Sequence, residues 1–395
     1  MQNAAILWHV SLLVAPAHKG LALGLVGLVK IVPIVAFSLL SGAVADAMNR
    51  RRVALFTNVI MMASATTLAI LTFRGVHVLW PIYALAATSA AAASFEGPAR
   101  QALVPNLVPA DHFPNAISLN TIMFQTASVV GPSAAGLVIG ELGVGWAYAL
   151  NAVSFLAAIA ALLAMRNVPA RTPGQIAEVS VRAIREGLRF VFSAPLIRSS
   201  MLLDFFATFF ASATVLLPIF AQDILKVGAH GYGILYAAPS IGAVVASLIM
   251  VHGVERIDRR GIVLLRSILI YGCATVLFGV SRNFWLTFGA LAVSGAADTV
   301  STVLRNIIRQ LGTPDHLRGR MTSINMIFFM GGPQLGELEA GVVANLIGAP
   351  LSVVTGGVGC LLATVTIAAR TRELRTYRRT TTPSLATTAS AAGAV

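Results

Sequence analysis

Charge is what this sequence has least of. Only 11% of its 395 residues are Asp, Glu, Lys or Arg, and 57% are hydrophobic, whereas a soluble domain carries about 25% charged residues. No water-soluble fold hides that much apolar surface, so soluble classes are excluded. Cysteine is nearly absent: Cys273 and Cys360 lie far apart inside apolar stretches, with no His or Cys spaced to make a metal site. Both read as packing residues, and neither metal nor cofactor is expected. HExxH, GxSxG and P-loop signatures are missing, as are clustered histidines, so neither an intramembrane enzyme nor an ATP-driven pump is expected within this chain. A cleavable signal peptide is missing too, because the first apolar stretch has no basic n-region and no small-residue cleavage site.

What is present is a succession of apolar runs. They fall near residues 2–14, 20–44, 53–72, 76–97, 115–140, 145–165, 199–221, 230–252, 262–280, 284–304, 321–346 and 350–369, which predicts an all-α membrane protein of twelve transmembrane helices. The first run is short. Gln2 to Val14 reaches only about 20 Å at 1.5 Å per residue, against a hydrocarbon core of about 30 Å. A truncated first helix is therefore expected, with the true start upstream.

The net charge of +13 would suit a nucleic-acid partner if it were gathered on one face. Instead most Lys and Arg fall on alternate loops and on the C-terminal tail, the positive-inside bias of a multi-pass protein. That bias places Arg50, Arg51 and Arg52, the stretch from Arg166 to Arg198, Arg256 to Arg260, Arg305 to Arg320 and the tail on the cytoplasmic side. No nucleic-acid partner is expected. Four segments follow: an N-terminal helical half (1–166), a cytoplasmic linker (167–198), a C-terminal helical half (199–369) and a tail (370–395). The linker carries an amphipathic helix over residues 178–189. The tail turns from Arg-rich to Thr, Ser and Ala, a composition that stays disordered.

The halves repeat. At an offset of 209, Gly24, Asp46, Asn49, Arg50 and Arg51 fall on Gly233, Glu255, Asp258, Arg259 and Arg260. At an offset of 205, Arg100, Asn120, Gly131, Gly136 and Gly143 fall on Arg305, Asn325, Gly336, Gly341 and Gly348. Helices two to five thus match helices eight to eleven, giving two parallel six-helix repeats with a solute site between them.

Between helices two and three, Gly42-Ala-Val-Ala-Asp46-Ala-Met-Asn-Arg50-Arg51 resembles the cytoplasmic motif of the major facilitator superfamily, and the resemblance covers essentially the whole chain. Where that family usually has a basic residue and a Gly, this chain has Ala47 and Asn49; Asn tolerates a left-handed turn. The resemblance implies a cytoplasmic gate made by Gly42, Asp46, Arg50 and Arg51 with their repeats Glu255, Arg259 and Arg260. Arg100 and Arg305, at the ends of helices four and ten, are the expected partners of Asp46 and Glu255. In helix five, Gly131-Pro132-Ser-Ala-Ala-Gly136 is similar to the Gly-Pro motif of superfamily exporters and implies drug/proton antiport. Leu203-Asp204-Phe205-Phe206, Arg318-Gly319-Arg320-Met321 and Gly336-Glu-Leu-Glu-Ala-Gly341 resemble the branch that includes the bacterial enterobactin exporter.

A charge at the bilayer centre costs about 2.5–3.5 kcal/mol even on insertion scales, so each needs a reason. Lys30, Asp204, Asp298, Glu337 and Glu339 stand inside predicted spans and are the candidates for proton coupling and the substrate cavity. Residues two apart on a helix point about 200° away from each other, so one of Glu337 and Glu339 is expected to face the cavity. Glu96, Arg266 and His9 are read as structural. The expected activity is proton-coupled efflux of a small siderophore- or drug-like solute by a monomer in a bacterial inner membrane. Uptake, lysolipid flipping and a non-transporting scaffold are the alternatives.

Overall fold

The computed structural model describes residues 1–108, 112–165, 189–314 and 317–379. Among them, twelve helices of twelve or more residues follow one another: α1 (Gln2–Leu13), α2 (Lys19–Ala47), α3 (Arg50–Phe73), α4 (Leu79–Leu107), α5 (Phe113–Glu141), α6 (Val144–Ala164), α7 (Pro195–Ala211), α8 (Gly228–Gly253), α9 (Arg260–Val280), α10 (Phe284–Leu311), α11 (Arg318–Ile347) and α12 (Ala349–Arg370). No described residue lies in a strand. Nine of these stretches are long and apolar enough to cross a membrane. The other three are α1, with 12 residues, and α4 and α11, whose sequences are more polar; α11 carries Gln334, Glu337, Glu339 and Asn345.

Several helices outrun the apolar runs that announce them. The runs of α4 and α10 end at 97 and 304, yet the helices continue to Leu107 and Leu311. Hydropathy marks where the apolar solvent ends, whereas a helix ends only where its backbone ladder does. α7 behaves differently. After Ala211 it breaks at Ser212, whose φ is −77° and ψ 54°, and continues as a 3₁₀ turn (Ala213–Leu216), one α turn containing Pro218, and a π turn (Phe220–Ile224).

The packing has a regular plan. Among the first six helices, α2 lies on α4, and α3 on α4 and α6; among the last six, α8 lies on α10, and α9 on α10 and α12. Two crossings join the sets, α2 on α11 and α5 on α8. Both use glycine to bring backbones together, as membrane helices commonly do. A Cβ at Gly24 would lie 3.0 Å from the Cα of Gly341, and one at Gly136 would lie 2.8 Å from the backbone nitrogen of Gly233.

Two local expectations change. Asn49 does not adopt a left-handed turn: its φ is −65°, and its side chain caps α3 by accepting from the backbone N–H groups of Arg51 and Arg52. The tail is ordered over its first residues. α13 (Arg372–Thr376) buries Leu374 completely, Gly261 donates its N–H to the Tyr377 carbonyl at 3.2 Å, and Arg379 donates its N–H to that of Asp258 at 2.9 Å. An apolar anchor plus backbone bonds outweighs the polar composition. Residues 380–395 and the linker stretch 166–188, including most of the expected amphipathic helix, lie outside the described residues.

Candidate functional site

Where the two sets of six helices meet, polar side chains from both converge. Lys30, on α2, donates to the side-chain carbonyl of Asn3 on α1, and Asn3 donates to the Tyr236 hydroxyl on α8 at 2.7 Å. Glu337, on α11, is buried and presses on α2, where a Cβ at Gly27 would lie 2.8 Å from its own Cβ. Its Oε2, like the side-chain carbonyls of Gln334 and Asn345, has no hydrogen-bond partner among the described residues. Glu339 is less buried than Glu337, so the two acids differ as a 200° separation requires. Lys30 and Glu337 thus stand on opposite sides of the line between the sets, a basic group on α2 and an acidic one on α11.

One end of this line is closed. Lys19 of α2 lies 2.9 Å from Asp223 and donates to the Gln222 side chain at 3.1 Å. Gln222 in turn donates to the Ser11 hydroxyl at 2.7 Å, and Tyr232 donates to the Ala4 carbonyl at 2.9 Å. His230 lies 3.4 Å from Glu141 across α8 and α5. The close glycine approaches between the sets lie toward this same end: Gly20, Gly24 and Gly27 of α2 meet the backbone of α11, and Gly136 of α5 meets that of α8.

The densest charge cluster lies wholly within the last six helices. Arg305 is 1% exposed and pairs through Nη2 with Asp204 Oδ1 of α7 at 3.0 Å and with Asp298 at 3.5 Å. The Asp204 contact is an ion pair whose angle falls short of a hydrogen bond. Arg309, also buried, lies 3.4 Å from the other Asp204 oxygen and donates to the side chains of Asn306 and Asn325. Arg305 is therefore not a partner of Glu255 at a helix end but the centre of a buried network holding two of the candidate acids. The helix carries it inward because α10 runs on to Leu311. Arg309, one turn further on, belongs to the same network and was not singled out from the sequence. Its i+4 spacing from Arg305 was the available signal.

The other expected gate residues scatter. Gly42 and Asp46 lie in the stretch 38–47, whose side chains fall outside the described residues. Arg51 donates to the carbonyls of Leu162 and Leu163 at 2.6 and 2.9 Å, where a cation suits the C-terminus of α6. Arg100 is half-exposed and pairs with Glu96 on its own helix at 3.2 Å. Glu255 takes a donor from Arg379 on its backbone carbonyl; Arg259 is exposed, and Arg260 is buried with its Nε unpartnered among the described residues. Gly131 and Pro132 lie inside α5, and Gly136 forms the contact with Gly233 already described. Cys360 is buried and Cys273 exposed, both as free thiols. His9 is buried, with its ring nitrogen 3.3 Å from the Tyr148 hydroxyl.

Comparison with known proteins agrees with this architecture. Residues 1–389 match the family described as transmembrane secretion effector. The enterobactin exporter of Escherichia coli is 28% identical over 305 residues, 76% of this chain and 72% of the exporter. Among solved structures, a POT family transporter in complex with 5-aminolevulinic acid superposes with a TM-score of 0.73 at 10% identity, covering 94% of each chain. A bacterial homolog of the human lysosomal transporter Spinster, inward-facing and unoccupied, gives 0.69 at 15% identity over 95% of this chain and 96% of that one. These two likenesses concern the fold alone.

Proposed function

The chain belongs to the transmembrane secretion effector family, a group of major facilitator transporters, and on that premise we propose that it exports a small siderophore- or drug-like molecule in exchange for protons by alternating access. The observation that carries this reading is the one-ended closure. α2, α5, α8 and α11 meet glycine to backbone at the end bearing Lys19 and Asp223, with Lys30 and Glu337 beside that closure. A carrier needs such a site, reachable from one side at a time.

The two-repeat plan is supported by the packing. Adding six to each helix number turns the contacts of the first set into those of the second, and the repeat partners Gly24 and Gly233, Gly136 and Gly341 exchange places across the two crossings. With the basic loops in the cytoplasm, the closed end faces outward. The membrane is then the bacterial inner membrane, as suits the exporter of Escherichia coli, and the working unit is a monomer of two halves, 1–166 and 199–369. Asp46, Arg50, Arg51 and their repeats would close the cytoplasmic end when the outer end parts.

Reconstituted into proteoliposomes, the protein should catalyse counterflow of at least one member of a panel of siderophores, antibiotics and lysolipids. An imposed pH gradient should drive that solute uphill in the export direction. Counterflow without any response to the pH gradient would remove proton coupling, and uphill movement in the opposite direction would make the protein an uptake permease.

A further inference from the structure

The break in α7 opens onto a cavity that the exchange mechanism has not yet used. It measures about 110 Å³ and is lined by Ala211, Ala213 and Thr214 at the break, Pro239 of α8, Tyr271 and Thr275 of α9, and Ser294 and Asp298 of α10. All four helices belong to the second half, and neither Lys30 nor Glu337 lines the space. Irregular backbone at membrane depth is tolerated where it lines a water-filled space, because its freed groups need partners. Here Tyr271 donates to the Ala211 carbonyl at 3.4 Å, and the hydroxyls of Thr214, Thr275 and Ser294 line the remainder beside the apolar Ala274, Phe278 and Leu291. The volume has room for several waters where those hydroxyls and Asp298 face it.

One carboxylate faces this space. The Asp298 side chain keeps 42% of its surface accessible, while its partner Arg305 keeps 1%. Two oppositely placed demands meet at Arg305, with Asp204 at 3.0 Å and Asp298 at 3.5 Å. Asp204 itself is flanked by two guanidinium groups, Arg305 and Arg309, and has no surface on the cavity. Losing the Asp298 charge would leave Arg305 its shorter contact. Losing the Asp204 charge would leave two buried cations facing one another, the costlier arrangement.

We propose that Asp298 is the proton-binding carboxylate of this carrier, reached through the cavity at the α7 break and not through the substrate cavity between the halves. The inference rests on the proton-coupled reading and names its site. A proton taken from water in the cavity adds to one Asp298 oxygen and converts the carboxylate to a neutral acid, which ends its attraction for Arg305. Arg305 then turns fully to Asp204, whose other oxygen holds Arg309, and Arg309 already donates to Asn325 on α11. Since α11 is the helix that packs on α2 across the halves, the change of charge reaches the crossing that must part.

The test is pH-titrated infrared difference spectroscopy of the full chain in phospholipid nanodiscs, followed through the band of protonated carboxyl groups. A band that grows as pH falls should vanish in Asp298→Asn and persist in Glu337→Gln. In Asp298→Glu it should persist at a shifted frequency, which assigns it even if Asp298→Asn does not fold. A band unshifted in Asp298→Glu, or one lost in Glu337→Gln, overturns the proposal while leaving proton coupling intact. In vesicles, a one-unit pH gradient sustains about a tenfold solute gradient in one-for-one exchange, and Asp298→Asn should reduce that to no gradient while keeping counterflow. If the band belongs to Asp298 but wild-type accumulation ignores the pH gradient, the site stands and the exchange reading falls.

Discussion

Arg100 and Arg305 occupy matching positions of the repeat and do opposite things. Arg100 reaches out from α4 to Glu96 on the same helix and stays half-exposed; Arg305 is sealed inside the second half between Asp204 and Asp298. The first half meets the line between the halves with two cations, Lys30 and Lys19. The second half supplies Glu337 and Asp223 there and keeps a four-membered charge network behind them. A repeat fixes where helices lie but not what they carry, so matching positions can do opposite things.

Removing the two arginines should separate the halves most sharply. Arg305→Ala leaves Asp298 without its cation and the buried Asp204 with Arg309 alone, a loss of about 3–5 kcal/mol, and should abolish recovery of monodisperse protein from detergent. Arg100→Ala removes an exposed pair worth about 0–1 kcal/mol and should leave the melting temperature nearly unchanged. Equal effects would mean that the second half holds no special network.

The loops at the basic end differ in the same spirit. In the first half Asn49 caps α3; in the second, Arg259 gives α9 no side-chain cap, and the ordered tail supplies the ties. Ending the chain after Arg370 removes the buried Leu374, whose side chain contributes about 1.5–3 kcal/mol. Asn49→Ala should cost about 1 kcal/mol. Thermal unfolding in detergent should therefore rank truncation above the cap, and the reverse order would show that the tail merely rests on the surface.

The closed end allows a finer contrast between backbone and side-chain contacts. A Leu at Gly24 meets the Cα of Gly341, which has no means of yielding, and should disfavour closure by about 1–3 kcal/mol, or roughly 5- to 150-fold in population. Spin labels on either side of the closed end should then report longer distances. Lys19→Met deletes a partly exposed ion pair and should disfavour closure by only about 0.2–1 kcal/mol. A larger shift from Lys19→Met than from Gly24→Leu would make the ion pair, and not the glycine contact, the principal fastening.

Much of the fold was legible because the membrane imposes one rule on a span: apolar runs announced the helices, and four of the glycines matched at fixed offsets, Gly24, Gly136, Gly233 and Gly341, are found in contact across the sets. Helix ends were less legible. The charges that stop an apolar run at 97 or 304 do not stop the backbone ladder, so Arg100 and Arg305 stand nearly two turns inside helices whose ends hydropathy sets too early. The burial of Arg305 and Arg309 follows from that extension. Which acids a buried arginine will choose depends on side chains brought from α7 and α11, and no local pattern carries that information. Lys30 and Glu337 stand out in the sequence as charges inside apolar runs, yet their placement on α2 and α11 across the line between the halves is a tertiary fact.

The glycine crossings have a last consequence, for the kinetics of the cycle. Interlocked side chains must withdraw and re-enter rotamer wells whenever two surfaces separate, and each such step adds friction. Where Gly24 faces Gly341 and Gly136 faces Gly233, the opposing surfaces are bare backbone whose hydrogen bonds are already engaged within their own helices. They can part and meet again with nothing to unlatch and little apolar area to wet. Such a joint resembles a bearing more than a clasp, so a solute with about 1.4 kcal/mol of preference for one orientation would change the populations tenfold.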